Sequence, residues 1–123
     1  MTEDAVPGHQ VLVVDDEQLT RDLLLQLLES RGYSVASCAN GREAVEYLRT
    51  HRPPRLILLD LLMPVMSGWE LRDHMLTHPE WRNIPVAILS ALEDVPKDLK
   101  FVAYIGKPLD FGRLFAVVTE YCD

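Results

Sequence analysis

Short apolar runs alternate along the chain with stretches of helical spacing. Val11 to Val14 is the first run, and it closes on Asp15-Asp16-Glu17. From Leu19 to Arg31, leucines at 19, 23, 24, 27 and 28 recur at helical intervals, which predicts a helix with one apolar stripe. Gly32 supplies its stop. Tyr33 to Cys38 reads as a second strand, less apolar than the first and so a candidate sheet edge. Asn40, with Glu43 three positions on, has the form of an N-cap and its partner. The helix it opens buries Ala44, Val45 and Leu48 and stops before Pro53-Pro54.

The third run, Leu56-Ile57-Leu58-Leu59, goes straight into Asp60. A continuous apolar run bounded by a breaker, here Pro64, predicts a strand buried on both faces. Met63 to Gly68 reads as a loop, and Trp69 to Leu76 as a short helix ended by Pro79. Val86 to Ser90 is a fourth strand. Ala103 to Ile105 is a very short fifth, leading into Gly106-Lys107-Pro108. Asp110 caps a last helix whose apolar positions are Leu114, Val117, Val118 and Tyr121. Such alternation predicts an α/β domain, a mostly parallel sheet covered by helices on both faces. The stretch between Ser90 and Ala103 is the weak link, with room for only one or two helical turns.

Composition narrows the class. The 123 residues suffice for one full core, and 48% hydrophobic content excludes a disordered chain. Nineteen acidic against twelve basic residues give a net charge of -7, which argues against general nucleic-acid binding. Cys38 and Cys122 match no metal or redox spacing and read as a reduced pair. The sequence has no signal-peptide pattern at residues 1–10 and no apolar run long enough to span a membrane. A flexible segment over residues 1–9, a single domain over 10–123 and a cytoplasmic location are the expectations.

The polar residues at the strand ends carry the chemistry. Asp15 and Asp16 follow the first strand, Asp60 ends the third, Ser90 the fourth, and Lys107 follows the fifth. In an open parallel sheet all these ends share one edge. Crowded carboxylates are tolerable when a cation joins them, and oxygen ligands without His or Cys select a hard ion, Mg²⁺ first and Mn²⁺ as a substitute. An aspartate beside such an ion can act as a nucleophile toward phosphorus. Lys107 and Ser90 would then hold phosphoryl oxygens. Blander readings stand beside these. Asp15-Asp16-Glu17 suits the first turn of a helix, Ser90 can cap a turn, and Tyr104, Trp69 and Trp81 can simply pack.

On these residues the sequence resembles the receiver domain of two-component response regulators, over essentially its whole length. The resemblance implies a five-stranded, doubly wound, flavodoxin-like sheet of order 2-1-3-4-5. It makes Asp60, within Asp60-Leu61-Leu62-Met63-Pro64, the phosphorylated residue. Asp16, Asp60 and the backbone carbonyl of Leu62 become metal ligands, with Asp15 either direct or through water. Gly68 matches the family's loop glycine, Ser90 and Tyr104 its switch residues, and Lys107-Pro108 its Lys-Pro pair. The segment from Ser90 to Lys107 is shorter than the family's norm, so its fourth helix is expected to be truncated or irregular. Leu62 is apolar where the family's side chain influences hydrolysis of the phosphoryl group, which implies slow self-dephosphorylation.

The implied partners are a sensor histidine kinase or histidine phosphotransfer protein as donor, and a downstream protein. Direct contact with nucleic acid or membrane is not expected. With little chain after the last helix, a stand-alone receiver is expected, giving output by protein contact or onward phosphotransfer. The rival function is a phosphorylation-independent interaction module of the same fold, suggested by the short segment after Ser90. A nucleotide enzyme is disfavoured, because acids stand where a glycine-rich phosphate loop would follow the first strand.

Overall fold

The computed structural model describes residues 7–92 and 97–123. In chain order the elements are β1 (Val11–Val14), α1 (Gln18–Ser30), β2 (Val35–Cys38), α2 (Gly41–Thr50), β3 (Leu56–Asp60), α3 (Gly68–Leu76), β4 (Val86–Ser90), β5 (Ala103–Gly106) and α4 (Phe111–Cys122). The strands pair in parallel in the order β2-β1-β3-β4-β5. β2 is an edge, and β3 lies at the centre with all five residues buried.

Period-two alternation sends each strand's side chains to two separate cores. Leu12, Val14, Ile57, Leu59, Val86 and Ile88 join the layer that contains Ala44, Leu48, Leu71 and Met75 of α2 and α3. Val11, Val13, Leu56, Leu58, Ala87 and Leu89 meet Leu24 and Leu28 of α1 and Leu114 and Val118 of α4. The apolar runs are continuous because both faces of the strands are covered.

Helix ends follow local chemistry. At the end of α1 the Gly32 amide donates to the Glu29 carbonyl (3.0 Å) and the Tyr33 amide to Leu28 (3.1 Å), with Gly32 at φ +92°. Gly32 is the residue that can adopt this backbone without strain. The same closure holds Tyr33 outside the sheet, so β2 starts two residues later than expected. Asn40 accepts from the Glu43 amide (2.9 Å), and the Glu43 carboxylate accepts from Ala39 (2.8 Å). Asp110 caps α4 through the Arg113 amide (3.1 Å). Ser67 and Glu70 form a reciprocal box that starts α3 at Gly68, one residue before the expected Trp69. The leucine stripe of α1 is wider than its buried strip: Leu24 and Leu28 are buried, whereas Leu19 is 79% and Leu23 42% exposed.

Among the described residues no helix separates Ser90 from Ala103, so α4 is the last of four helices. The truncated helix expected there falls partly on residues 93–96, which lie outside the described residues. Leu99 is buried against the α2/α3 layer, and Arg72 Nε on α3 donates to the Lys100 carbonyl (2.9 Å). Of the expected flexible N-terminus, residues 1–6 also lie outside the description, and the His9 amide donates to the Tyr47 hydroxyl (2.9 Å). Gln10 Nε2 and Arg55 Nη1 both donate to the Cys122 carbonyl, at 3.4 and 3.1 Å. No helix of the described chain is long and apolar enough to cross a membrane.

The β3–α3 loop is tight. The Met66 amide donates to the Pro64 carbonyl (2.7 Å) across Val65 at φ +68°, a γ-turn in the costly left-handed region. Two residues on, a Cβ at Gly68 would stand 2.5 Å from the Asp60 carbonyl oxygen and 2.7 Å from Leu61 Cα. Only glycine lets α3 begin directly over the end of β3. Gly68→Ala should therefore lower the unfolding free energy by about 1–3 kcal/mol in urea titrations. An unchanged midpoint would show that this close approach is not required.

Candidate functional site

Strand register sets the site. Val14 pairs with Leu59, so Asp15, the next residue, comes level with Asp60. Asp60 pairs with Leu89 and Ser90 with Gly106, which places Ser90 one step and Lys107 two steps further out on the same edge. Asp15 and Ser90 are fully buried and Asp60 is 5% exposed, whereas Asp16 faces solvent.

Lys107 Nζ donates to Asp15 Oδ2 at 2.8 Å and lies 3.7 Å from Asp60 Oδ2. The other Asp15 oxygen accepts from the Glu17 amide (2.9 Å), and its main-chain carbonyl accepts from Arg21 Nη1 (2.7 Å). Asp60 Oδ1 accepts from the Leu62 amide at 3.3 Å. One carboxylate oxygen each from Asp15, Asp16 and Asp60 lies within 4.8 Å of the others. Three carboxylates and one ammonium leave a local excess of negative charge. An all-oxygen donor set of this kind fits a hard divalent cation.

Burial pushes the Asp60 carboxyl up to about 6, helped by the charges of Asp15 and Asp16 and opposed by Lys107 and the Leu62 amide. Burial would lower the Lys107 ammonium, but the Asp15 hydrogen bond and the Asp60 charge prevail and raise it. The lysine is thus held charged between two acids, closer to Asp15 than to the central aspartate.

Ser90 and Tyr104 are not in contact with this charge cluster in the same way. Ser90 Oγ accepts from the Leu92 amide (3.1 Å), and Tyr104 Oη donates to the Leu92 carbonyl (3.0 Å). One peptide segment therefore carries both bonds. The Leu62 side chain is half exposed at the mouth of the site.

The chain matches the response regulator receiver domain over residues 11–119. It belongs to that family. The polar-differentiation response regulator DivK of Brucella anthropi is 34% identical over 116 residues, spanning 90% of this chain and 94% of DivK. The receiver domain of a signal transduction histidine kinase from Syntrophus aciditrophicus superposes with a TM-score of 0.83 at 34% identity, covering 94% of this chain and 90% of that one. The response regulator TrrA of Thermotoga maritima, described in complex with Mg²⁺ and beryllium fluoride, gives 0.79 at 28% identity, covering 94% and 98%. This receiver accordingly acts in two-component phosphorelay signalling. Its chemistry is phosphorylation of its own aspartate, not turnover of a released product.

Two neighbours of the receiver's pocket were not singled out from the sequence. Arg21 binds the Asp15 carbonyl from one turn into α1, and Leu92 joins the two switch candidates through main-chain atoms. Neither has a side-chain pattern that announces it. Both cysteines are free and buried, and burial, with Glu43 adding, pushes the Cys38 thiol up to about 12. That leaves Cys38 inert as a nucleophile.

The raised Asp60 value has a consequence for stability. An unfolded aspartate titrates near 4, so between about pH 4 and 6 the folded chain binds the extra proton, and stability falls as pH rises through that window. In metal-free buffer Asp60→Asn should stabilise the protein by roughly 2–3 kcal/mol at pH 7 and by close to nothing at pH 4. Chemical denaturation at both pH values checks this, and equal gains at the two would refute the burial cost.

Proposed function

We propose that Asp60 is the phosphoacceptor of this receiver and that the donor is the phosphohistidine of a sensor kinase or phosphotransfer protein. The supporting observation is a nearly buried carboxylate 3.7 Å from a lysine, with Asp15 and Asp16 close enough to share one cation. An Asp60 oxygen attacks phosphorus in line, the P–N bond breaks, and the imidazole of the donor leaves with the electron pair and takes a proton. Asp16, Asp60 and the Leu62 carbonyl are the groups that would hold Mg²⁺ or Mn²⁺, with Asp15 direct or through water. The ion supplies charge neutralisation for the transferred group. Lys107, released from Asp15, then pairs with a phosphoryl oxygen.

Ser90 passes the event on. A hydroxyl that turns to donate to the phosphoryl group gives up its bond with the Leu92 amide. Movement of Leu92 then weakens the Tyr104 bond at the other side of the same residue. The surface beside β5 and α4 shifts toward a form that a downstream protein recognises.

Docking of the donor is supported by exposed Leu19 and Leu23 on α1 and by Phe111 at the start of α4. Leu23, Pro108, Leu109 and Phe111 border a cavity of about 310 Å³ that also reaches Lys107. This apolar rim next to the acidic pocket suits a helix that presents a phosphohistidine. Such partners place the receiver in the cytoplasm. The rival, phosphorylation-independent reading rests on the short segment between Ser90 and Lys107, and the same experiment separates the two.

With Mg²⁺ and acetyl phosphate, intact-mass spectrometry should show one added phosphoryl group. Asp60→Asn or excess chelator should abolish it, and an unmodified wild type with both acetyl phosphate and a cognate kinase would leave the interaction-module reading. The phosphorylated form should persist for minutes or longer, because Leu62 cannot orient a water. Leu23→Glu should slow transfer from the kinase about tenfold while leaving acetyl phosphate labelling unchanged. Equal slowing of both reactions would place Leu23 in the pocket's chemistry instead of the docking rim.

A further inference from the structure

Arg72 is a buried charge that the phosphoacceptor chemistry does not use. It is 6% exposed, and its Nε is committed to the Lys100 carbonyl at 2.9 Å. Its Nη1 is buried and has no hydrogen-bond partner among the described residues. Among the described residues the ion pairs are Arg49 with Glu46 and Lys107 with Asp15 and Asp60, so no carboxylate balances this guanidinium. Burial holds it below the ordinary arginine value. A buried cation with one unmet donor and no counter-charge is costly, and such a group is a place where a missing partner belongs.

Arg72 also lines a recess of about 290 Å³ together with Arg82, Asn83, Lys100 and Phe101. Arg82 and Lys100 are exposed, and among the described residues no acidic side chain contributes to the lining. Three cations around one hollow stand out in a chain of net charge -7. The recess also takes in Pro85, Val86 and Val102, and the Val102 amide donates to the Val86 carbonyl (2.8 Å). It therefore sits at the amino ends of β4 and β5, the edge opposite Asp60, and is distinct from the acidic pocket. Lys100 and Phe101 belong to the connection that leads into β5.

We propose that this recess is an oxyanion-binding site, which takes a carboxylate or phosphate group against the Arg72 guanidinium, with Arg82, Lys100 and the Asn83 amide at its rim. The bond from Nε to the Lys100 carbonyl fixes the plane of the guanidinium, so its remaining donors are presented as a rigid fork, the geometry that oxyanions match best. The apolar ring of Phe101 lowers the local dielectric and strengthens each charge-assisted bond.

The test follows the Arg72 side-chain Nε–Hε resonance of the isotopically labelled full chain in chelator-containing buffer. Sodium sulfate and sodium acetate are titrated separately, with sodium chloride at matched ionic strength as reference. A saturable shift with sulfate identifies a phosphate-like tetrahedral anion, and one with acetate a carboxylate; either supports the site. Arg82→Ala with Lys100→Ala, both at exposed positions, should weaken the apparent affinity by about tenfold or more. Lys107→Ala, on the opposite edge, should leave it unchanged. The proposal is overturned if neither anion moves the resonance beyond chloride, if the shift never saturates, or if the double variant binds as tightly as wild type.

Discussion

Three carboxylates crowd the carboxyl edge of the sheet, two of them sharing the Lys107 ammonium, and much of the fold can be understood as the means of keeping them there. Moving Asp60 into its setting costs roughly 2–3 kcal/mol, judged from a carboxyl pushed to about 6. The run that delivers it, Leu56 to Leu59, is fully buried between two helical layers. Four such side chains contribute on the order of 6–12 kcal/mol of apolar burial. The apolar strand thus outweighs the acid it ends in by a factor of about three. The strained γ-turn at Val65 and the close approach at Gly68 are tolerated against the same background.

Because the charges are held so closely, small changes among them have leverage on the rest of the molecule. Lys107 has two carboxylates to choose from and sits nearer Asp15. Any charge that enters the pocket alters that choice directly. Ser90, one residue beyond Asp60 in register, is linked through Leu92 to Tyr104, and both bonds run through main-chain atoms of a single residue. Among the described residues a short peptide bridge, not a helix, joins Ser90 to Tyr104.

Much of this was legible in the sequence, and the limits have physical causes. The central strand and Asp60 were legible because an apolar run closing on an acid has few other readings. The caps at Asn40 and Asp110 were legible because N-capping is local. The preference of Lys107 for Asp15 was not, since it depends on ångström differences among three strands. The exposure of Leu19 and Leu23 was hidden because periodicity gives the direction of a helix's apolar face but not how much of it the sheet covers. Val65 was hidden because its left-handed backbone runs against the habit of β-branched residues. Arg72 gave no sign of burial, because arginine on a short helix is ordinarily solvated. It is buried where the connection into β5 meets it, at the bond from its Nε to the Lys100 carbonyl.

The bonds from Gln10 and Arg55 to the Cys122 carbonyl bring the start of β1 beside the end of α4, on the edge away from the acidic pocket. The backbone here is nearly a closed loop. Covalent order is thus separable from architecture over this span: residues 10 and 122 could be joined by a short peptide and a break opened at a surface turn, with the strand order and the acidic edge left intact. A reporter tethered at residue 10 or 122 would ride on the side of the sheet away from the acidic pocket.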